Sequence, residues 1–257
     1  MGEFCRVEKE GRLTIVTIER PDVMNALHPP GNFELAEAFD DFAADPEQWV
    51  AIITGAGDRA FSAGNDLKYQ ASGGKMGGPK SGFAGLTARF DNSKPVIAAV
   101  NGLAMGGGFE IALACDLIIA SENAIFALPE PRVGLAALAG GIHRLPREIG
   151  MKQAMGMLLT GRRVPAAEGQ QLGFVNEVVP KGQALTAAKL WAAQILECAP
   201  ISVRASKEAA MQGLAAESLE AAIKGRYDQI AALYASEDFI EGPRAFSEKR
   251  PPNWKGK

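Results

Sequence analysis

Two glutamates in this 257-residue chain stand beside glycine-rich bends. Glu110 lies in "AMGGGFEIALACD" (104–116), two positions beyond the run Gly106, Gly107, Gly108, among Phe109, Ile111 and Ala112. Glu130 lies in "FALPEPRVGL", after a strand-like run and before Pro131, which blocks a helix from continuing. A carboxylate among apolar residues is costly to bury unless paired. Two of them beside glycine bends therefore point to an acid/base pair held in a dry pocket. The glycines carry a second hint. Each costs a helix roughly 1 kcal/mol, yet three stand where one should begin. Helix N-termini expose unpaired N–H groups, and glycine lets a ligand oxygen approach them. Neither the GxGxxG nor the GK[ST] spacing of a phosphate loop is present, which leaves an oxyanion hole as the chemical use of such a bend. A hole needs two donors from different segments. "AFSAGNDLK" (60–68) supplies the second, with Ala63 and Gly64 leaving room and Asp66 set to cap a helix from Leu67. Either bend alone reads as a tight strand-to-helix turn; the two acids decide between the readings.

The other reactive side chains have plainer readings. His28 and His143 are the two histidines and form no ligand-spaced cluster, so no metal is expected. Ser62 has no His or Asp arrangement that would make it a nucleophile. Asp116 reads as a structural anchor, His143 as a structural histidine and Cys115 as core. Cys5, Cys115 and Cys198 are odd in number and far apart, which predicts reduced thiols in a cytoplasmic protein. A net charge of −3 without Lys/Arg clusters predicts no nucleic-acid or membrane partner. There is no signal-peptide pattern at the N-terminus and no run of about 20 apolar residues.

Elements must position these residues. Strands are expected at 13–18, 50–55, 95–100, 115–120 and 124–128, several continuously apolar and hence covered on both faces. A helix is expected over "NFELAEAFDDFAADP", with a buried stripe of Phe33, Leu35, Ala36, Phe39 and Phe42. Residues 1–195 thus read as α/β. From about 184 the chain turns Ala-rich and amphipathic, with helices expected near 184–200, 202–213 and 218–236. The stretch "SGGKMGGPKSG" (72–82) leaves the backbone loose, as a surface loop or a lid.

"IERPDVMNAL", "AFSAGNDLK", "AVNGLAMGGGFEIALACDLIIAS", "FALPEPRVGL" and "EGPRAFSEKRPPNWKGK" together resemble the enoyl-CoA hydratase/isomerase (crotonase) superfamily over nearly the whole chain. The resemblance implies an α/β crotonase-like spiral of β-β-α units over 1–195, with a helical trimerisation region over 196–257. It makes the backbone N–H groups of Asn65 and Gly107 the oxyanion-hole donors for a thioester carbonyl. It makes Glu110 and Glu130, twenty positions apart, the acid/base pair of a hydratase that adds water to a 2-enoyl-CoA. Val23, Ala63, Asp66 and Leu67 are expected along the CoA, and Phe246 and Lys249 at the adenine end of a neighbouring subunit's CoA. Leu138 is expected in the acyl pocket. It stands where a small residue is common in the family, and Leu128 where some hydratases are polar. No cofactor is implied beyond the CoA of the acyl-CoA thioester substrate, and the chain is expected to associate as a homotrimer or hexamer. "GFAGLTARF", "KPVIAAVNG", "SEDFIEGPRAFSEKR" and the final "WKGK" are similar to the branch that hydrates crotonobetainyl-CoA, a first alternative. A Δ3-Δ2-enoyl-CoA isomerase using one glutamate and a non-catalytic acyl-CoA-binding protein are the others.

Overall fold

In the computed structural model, which describes residues 2–257, the apolar run at 13–18 is the strand β2 (Leu13–Ile18), buried along its whole length and preceded by β1 (Cys5–Glu10). After α1 (Pro29–Ala44) the chain repeats one unit of strand, strand and helix three times. The first repeat is β3 (Val50–Gly55), β4 (Ala60–Ser62) and α2 (Leu67–Ala71). The second is β5 (Val96–Val100), β6 (Leu103–Met105) and α3 (Gly107–Ala114). The third is β7 (Leu117–Ser121), β8 (Ile125–Ala127) and α4 (Gly141–Ile149), followed by α5 (Met151–Thr160), β9 (Val164–Pro165), α6 (Ala166–Leu172) and β10 (Glu177–Val179).

The first strand of each repeat joins one sheet and the second joins another. Among the described residues these sheets have the orders β1-β2-β3-β5-β7-β10 and β4-β6-β8-β9. Apart from the outer strands β1 and β9, which pair antiparallel, neighbours run parallel. Parallel strands covered on both faces need apolar residues at every position, and β3 and β5 are buried throughout. Under α3 the rings of Phe109, Phe126 and Phe174 meet with centroids 5.0–5.2 Å apart. Their packing fixes the helix that begins at Gly107.

The chain divides into two compact units. One runs from the N-terminus to Arg89 together with Val96–Ala192, and the other comprises Phe90–Pro95 and Ala193–Lys257. α7 (Ala184–Leu196) runs from the first into the second, which continues with α8 (Pro200–Gly213), α9 (Leu219–Ile223), α10 (Asp228–Ala235) and α11 (Asp238–Glu248). Within the second unit the C-terminal tail returns to α11, where Asp238 accepts hydrogen bonds from the backbone N–H groups of Lys255 and Gly256.

Three expectations need correction. Phe33 does not belong to the buried stripe of α1; it is 48% exposed, whereas Leu35, Ala36, Phe39 and Phe42 are buried. The helix expected over 218–236 is two helices, α9 and α10. The chain breaks where Tyr227 turns its hydroxyl back to donate to Ala222 O (2.5 Å) across Gly225. The strand expected at 115–120 starts two residues later, after the backbone bond from Asp116 N to Val96 O.

Candidate active site

The chain leaves β4 through a bend tied down on one side. Ala63 N donates to Met24 O (2.9 Å), Leu27 N to Gly64 O (2.7 Å) and Asp66 N to Leu27 O (2.9 Å). The Asn65 N–H, between these anchored groups, has no protein acceptor among the described residues. The chain leaves β6 through a second bend, where Gly106, at φ +53°, donates to Ala127 O (2.9 Å). The Gly107 N–H that follows is the first of α3 and likewise has no acceptor among the described residues. The two bends touch. Gly64 has φ +82°, and a Cβ there would sit 2.6 Å from Met105 O and 2.7 Å from Gly107 N. Asn65 N is one peptide bond away, which puts the two nitrogens within about 6 Å of each other. That is about the span of one oxygen accepting two bonds of ~2.9 Å.

Both glutamates are buried, Glu130 beside the second bend and Glu110 in the helix that the bend opens. Glu110, in the first turn of α3, is 4% exposed, and its Oε1 accepts from Gly141 N at 2.9 Å. Burial pushes its pKa up to about 7, and the charge of Glu130 adds to that push, while the Gly141 and Ala139 N–H groups and Arg144 oppose it. Glu130 opens the turn Glu130–Val133 after β8, where Pro131 follows it in the first turn. Its Oε1 is 3.0 Å from where a Gly106 Cβ would be, and its Oε2 is buried with no protein partner among the described residues. Burial raises its pKa as well. Two carboxyls whose proton affinities are lifted toward neutrality, one beside a paired N–H and one with a bare oxygen, can exchange protons with a molecule placed between them.

The strands explain the convergence. β4, β6 and β8 are adjacent and parallel, so their C-terminal ends lie side by side. They deliver Asn65, then Gly107 with Glu110, then Glu130. Open parallel sheets gather ligand groups at such ends.

The other expected residues sit as follows. Asp66 caps α2, accepting from Tyr69 N (3.1 Å) and from Arg20 (3.1 Å); burial acts to raise its pKa, and these donors hold it below the ordinary carboxylate value. Val23 (38% exposed) and Leu67 (45% exposed) leave apolar surface at the Pro21–Val23 turn and the start of α2, and Ala63 is half-buried. Leu138 is 77% exposed on the segment between Ala137 and Gly141 that meets Glu110. In the second unit Phe246 is 87% exposed, and Lys249 ends α11 in a left-handed conformation. Asp116 anchors the start of β5 by accepting from Val96 N (2.7 Å), Cys115 is partly buried against the core, and His143 is exposed rather than packed. Among the described residues no group of three His, Cys, Asp or Glu could hold a metal, and no helix is long and apolar enough to cross a membrane.

Phe83 went unnoticed in the sequence. A Cβ at Gly107 would lie 2.6 Å from its Cε1, so the ring covers the start of α3. The turn that holds it there is unusual, with Ala84 at φ +53°; Ala84 N donates to Asn32 Oδ1 (2.7 Å) and Phe83 N to Thr87 Oγ1 (2.8 Å). The sequence signal was the glycine pair, Gly82 and Gly85, that frames it.

Comparison with known proteins gives a consistent answer. A family model described as enoyl-CoA hydratase/isomerase matches residues 8–257. Carnitinyl-CoA dehydratases from Salmonella paratyphi A and Citrobacter koseri are 43% and 44% identical over 263 residues, covering 100% of both chains. A crystal structure of an enoyl-CoA hydratase from Mycobacterium tuberculosis H37Rv superposes with a TM-score of 0.93 at 38% identity, again over 100% of each chain. A carnitinyl-CoA hydratase from Mycobacterium avium gives 0.79 at 41% over the full length of both.

Proposed function

From the premise that this chain belongs to the enoyl-CoA hydratase/isomerase family, we propose that it is a hydro-lyase that adds water reversibly, and on one face, across the 2,3-double bond of a 2-enoyl-CoA thioester. The observation that carries the proposal is the meeting of the Gly64 and Gly107 bends with two buried carboxyls beside them. The thioester oxygen accepts from Asn65 N–H and Gly107 N–H. Glu110, as carboxylate, takes a proton from the water while its oxygen bonds to C3. The double-bond electrons move to the thioester oxygen, and the two amides stabilise the resulting enolate. Glu130, as acid, gives its proton to C2 as the carbonyl re-forms. Glu110 ends protonated and Glu130 ionised, and proton exchange between the two acids, which feel each other's charge, resets the pair. One lost oxyanion donor costs about 2.7–4 kcal/mol in other enzymes, and a positioned acid or base contributes about 10²–10⁴-fold. At 1.36 kcal/mol per tenfold the second range is about 2.7–5.4 kcal/mol, so each amide of the carbonyl grip and each acid contribute comparably.

Full-length identity of 43% to proteins named carnitinyl-CoA dehydratase favours a second reading within the same chemistry, with crotonobetainyl-CoA as the acyl-CoA. Loss of the conjugated-thioester absorbance with crotonyl-CoA and with crotonobetainyl-CoA, measured side by side, decides between them. Turnover of a 3-enoyl-CoA without hydration of either substrate would replace both readings with an isomerase.

A further inference from the structure

Ser62, at the end of β4, is fully buried and plays no part in the chemistry just described. Its hydroxyl donates to Asn25 O at 2.8 Å and accepts from Gly64 N at 3.1 Å. That second bond fixes the Ala63–Gly64 peptide, one before the peptide that carries the Asn65 N–H. Its backbone meets the other bend: a Cβ on Gly108 would collide with Ser62 O and lie 3.0 Å from Ser62 Cβ. One residue thus touches both glycine bends, the first through its hydroxyl and the second through its main chain.

The far end of this link is rigid. Asn25 is fully buried in a left-handed conformation at φ +54°. Its Oδ1 accepts from Arg20 N (3.0 Å), and its Nδ2 donates to Ala56 O (3.0 Å) and Ala60 O (2.8 Å). The Asn25 carbonyl that receives the Ser62 proton therefore has little freedom to follow a displaced bend. A serine with both lone-pair and O–H positions engaged by the main chain is also a poor nucleophile.

We propose that Ser62 is a positioning residue that sets the direction and spacing of the Asn65 and Gly107 amides. The assignment rests on the oxyanion reading above. Without the hydroxyl, Gly64 N–H and Asn25 O both lose a buried partner. The Ala63–Gly64 peptide can then rotate to find another, which tilts the adjoining Gly64–Asn65 peptide against its bond from Leu27 N and moves the Asn65 N–H off the shared oxygen. Misplacement by ~1 Å costs catalysis about 10²-fold.

The test compares wild type, Ser62→Ala and Ser62→Cys with a 4-dimethylaminocinnamoyl-CoA probe, whose absorption moves to longer wavelength when its thioester carbonyl is polarised. Wild type gives a red shift on binding; if it gives none, the oxyanion reading itself falls. Given that shift, Ser62→Ala loses most of it, kcat for hydration drops about 10- to 100-fold, and KM stays within about threefold. The pH at which activity rises stays fixed, because Glu110 is not part of the link. Ser62→Cys, whose thiol is a weaker donor and acceptor, gives an intermediate shift and serves if the alanine variant fails to fold. A wild-type shift and kcat in either folded variant overturns the assignment.

Discussion

A methyl group on Gly64 would lie 2.7 Å from the nitrogen of Gly107, with the Met105 carbonyl at 2.6 Å on the same side. Both neighbours are main chain and Gly64 is at φ +82°, so nothing nearby can move aside cheaply. Gly64→Ala is expected to push the two bends apart, lowering kcat at least 100-fold and stability by at least 1 kcal/mol. Steady-state hydration rates and urea unfolding measure the two. Gly107→Ala makes a contrast, because its clash is with the ring of Phe83. A second change, Phe83→Ala, is expected to restore folding stability to Gly107→Ala but not to Gly64→Ala, a non-additivity that a double-mutant cycle reads directly.

Glu110 gives the pH dependence its sign. Its pKa is raised from 4.5 to about 7 by burial, with Glu130 adding to the effect. In the proposed hydration it acts as a base while Glu130 still holds its proton, so kcat/KM rises with pH toward about 7 and falls again as the dyad loses its second proton. Two interacting acids titrate as a pair, so the rising limb belongs to the dyad rather than to one residue. Glu110→Gln is expected to abolish that limb along with most of the activity. A limb at pH 4–5 in the wild type would contradict the burial argument.

The same shift predicts a stability change of the opposite sense. The carboxyl is harder to ionise in the folded protein than in the unfolded chain. Below about pH 4.5 it is neutral in both states and costs nothing. As pH rises from 4.5 toward 7 the unfolded state ionises first, and the native state loses stability until the loss levels off above 7. At 1.36 kcal/mol per pH unit the loss is about 3 kcal/mol. Glu110→Gln, with the Gly141 N–H still satisfied, is expected to unfold at higher temperature than wild type at pH 8 and at about the same temperature at pH 4.5. Thermal melts at the two pH values check this.

Glu130 is tested by Glu130→Gln. A glutamine keeps the shape but cannot release a proton, so hydration is expected to fall about 10²–10⁴-fold, with KM for the thioester nearly unchanged. Gly106→Ala attacks the same acid from the other side. Its Cβ would meet Glu130 Oε1 at 3.0 Å on a backbone at φ +53°, and activity is expected to fall without any ionisable group being removed.

The second unit carries exposed apolar side chains, Leu214, Leu219, Ile223, Tyr234 and Phe246, each at least 67% exposed. Patches of this kind mark association surfaces. Together with the trimer expected from the family resemblance, they predict a mass of three chains or a multiple of three by light scattering. Leu219→Glu combined with Ile223→Glu is expected to reduce it to one chain.

The sequence carried the acids and the glycines because each departs from local preference: a carboxyl in an apolar run and helix breakers at a helix start. The Asp66 cap and four strands of the larger sheet, β2, β3, β5 and β7, were also legible, the strands as local apolar runs, whereas its outer strands β1 and β10 were not. Contacts between distant segments were hidden. Nothing in "AFS" says that Ser62 meets Gly108, and nothing in "SGFAG" says that the Phe83 ring lies on Gly107. The three-residue strands β4 and β6 were missed inside segments read as turns, being too short to show a period. Phe33 followed the helical spacing yet faces outward, because what a helix buries depends on what packs against it.

The three strands of the smaller sheet that end at the site divide labour by position. In the proposed reaction the amides that hold the carbonyl follow β4 and β6, while the acid assigned to C2 follows β8, on a turn of its own. The loop behind that last strand can therefore be rewritten, acid included, while the clasp on the thioester stays intact. A fold arranged this way is a holder with an interchangeable tool, and new reactions on activated acyl groups need alter only the piece that is easiest to change.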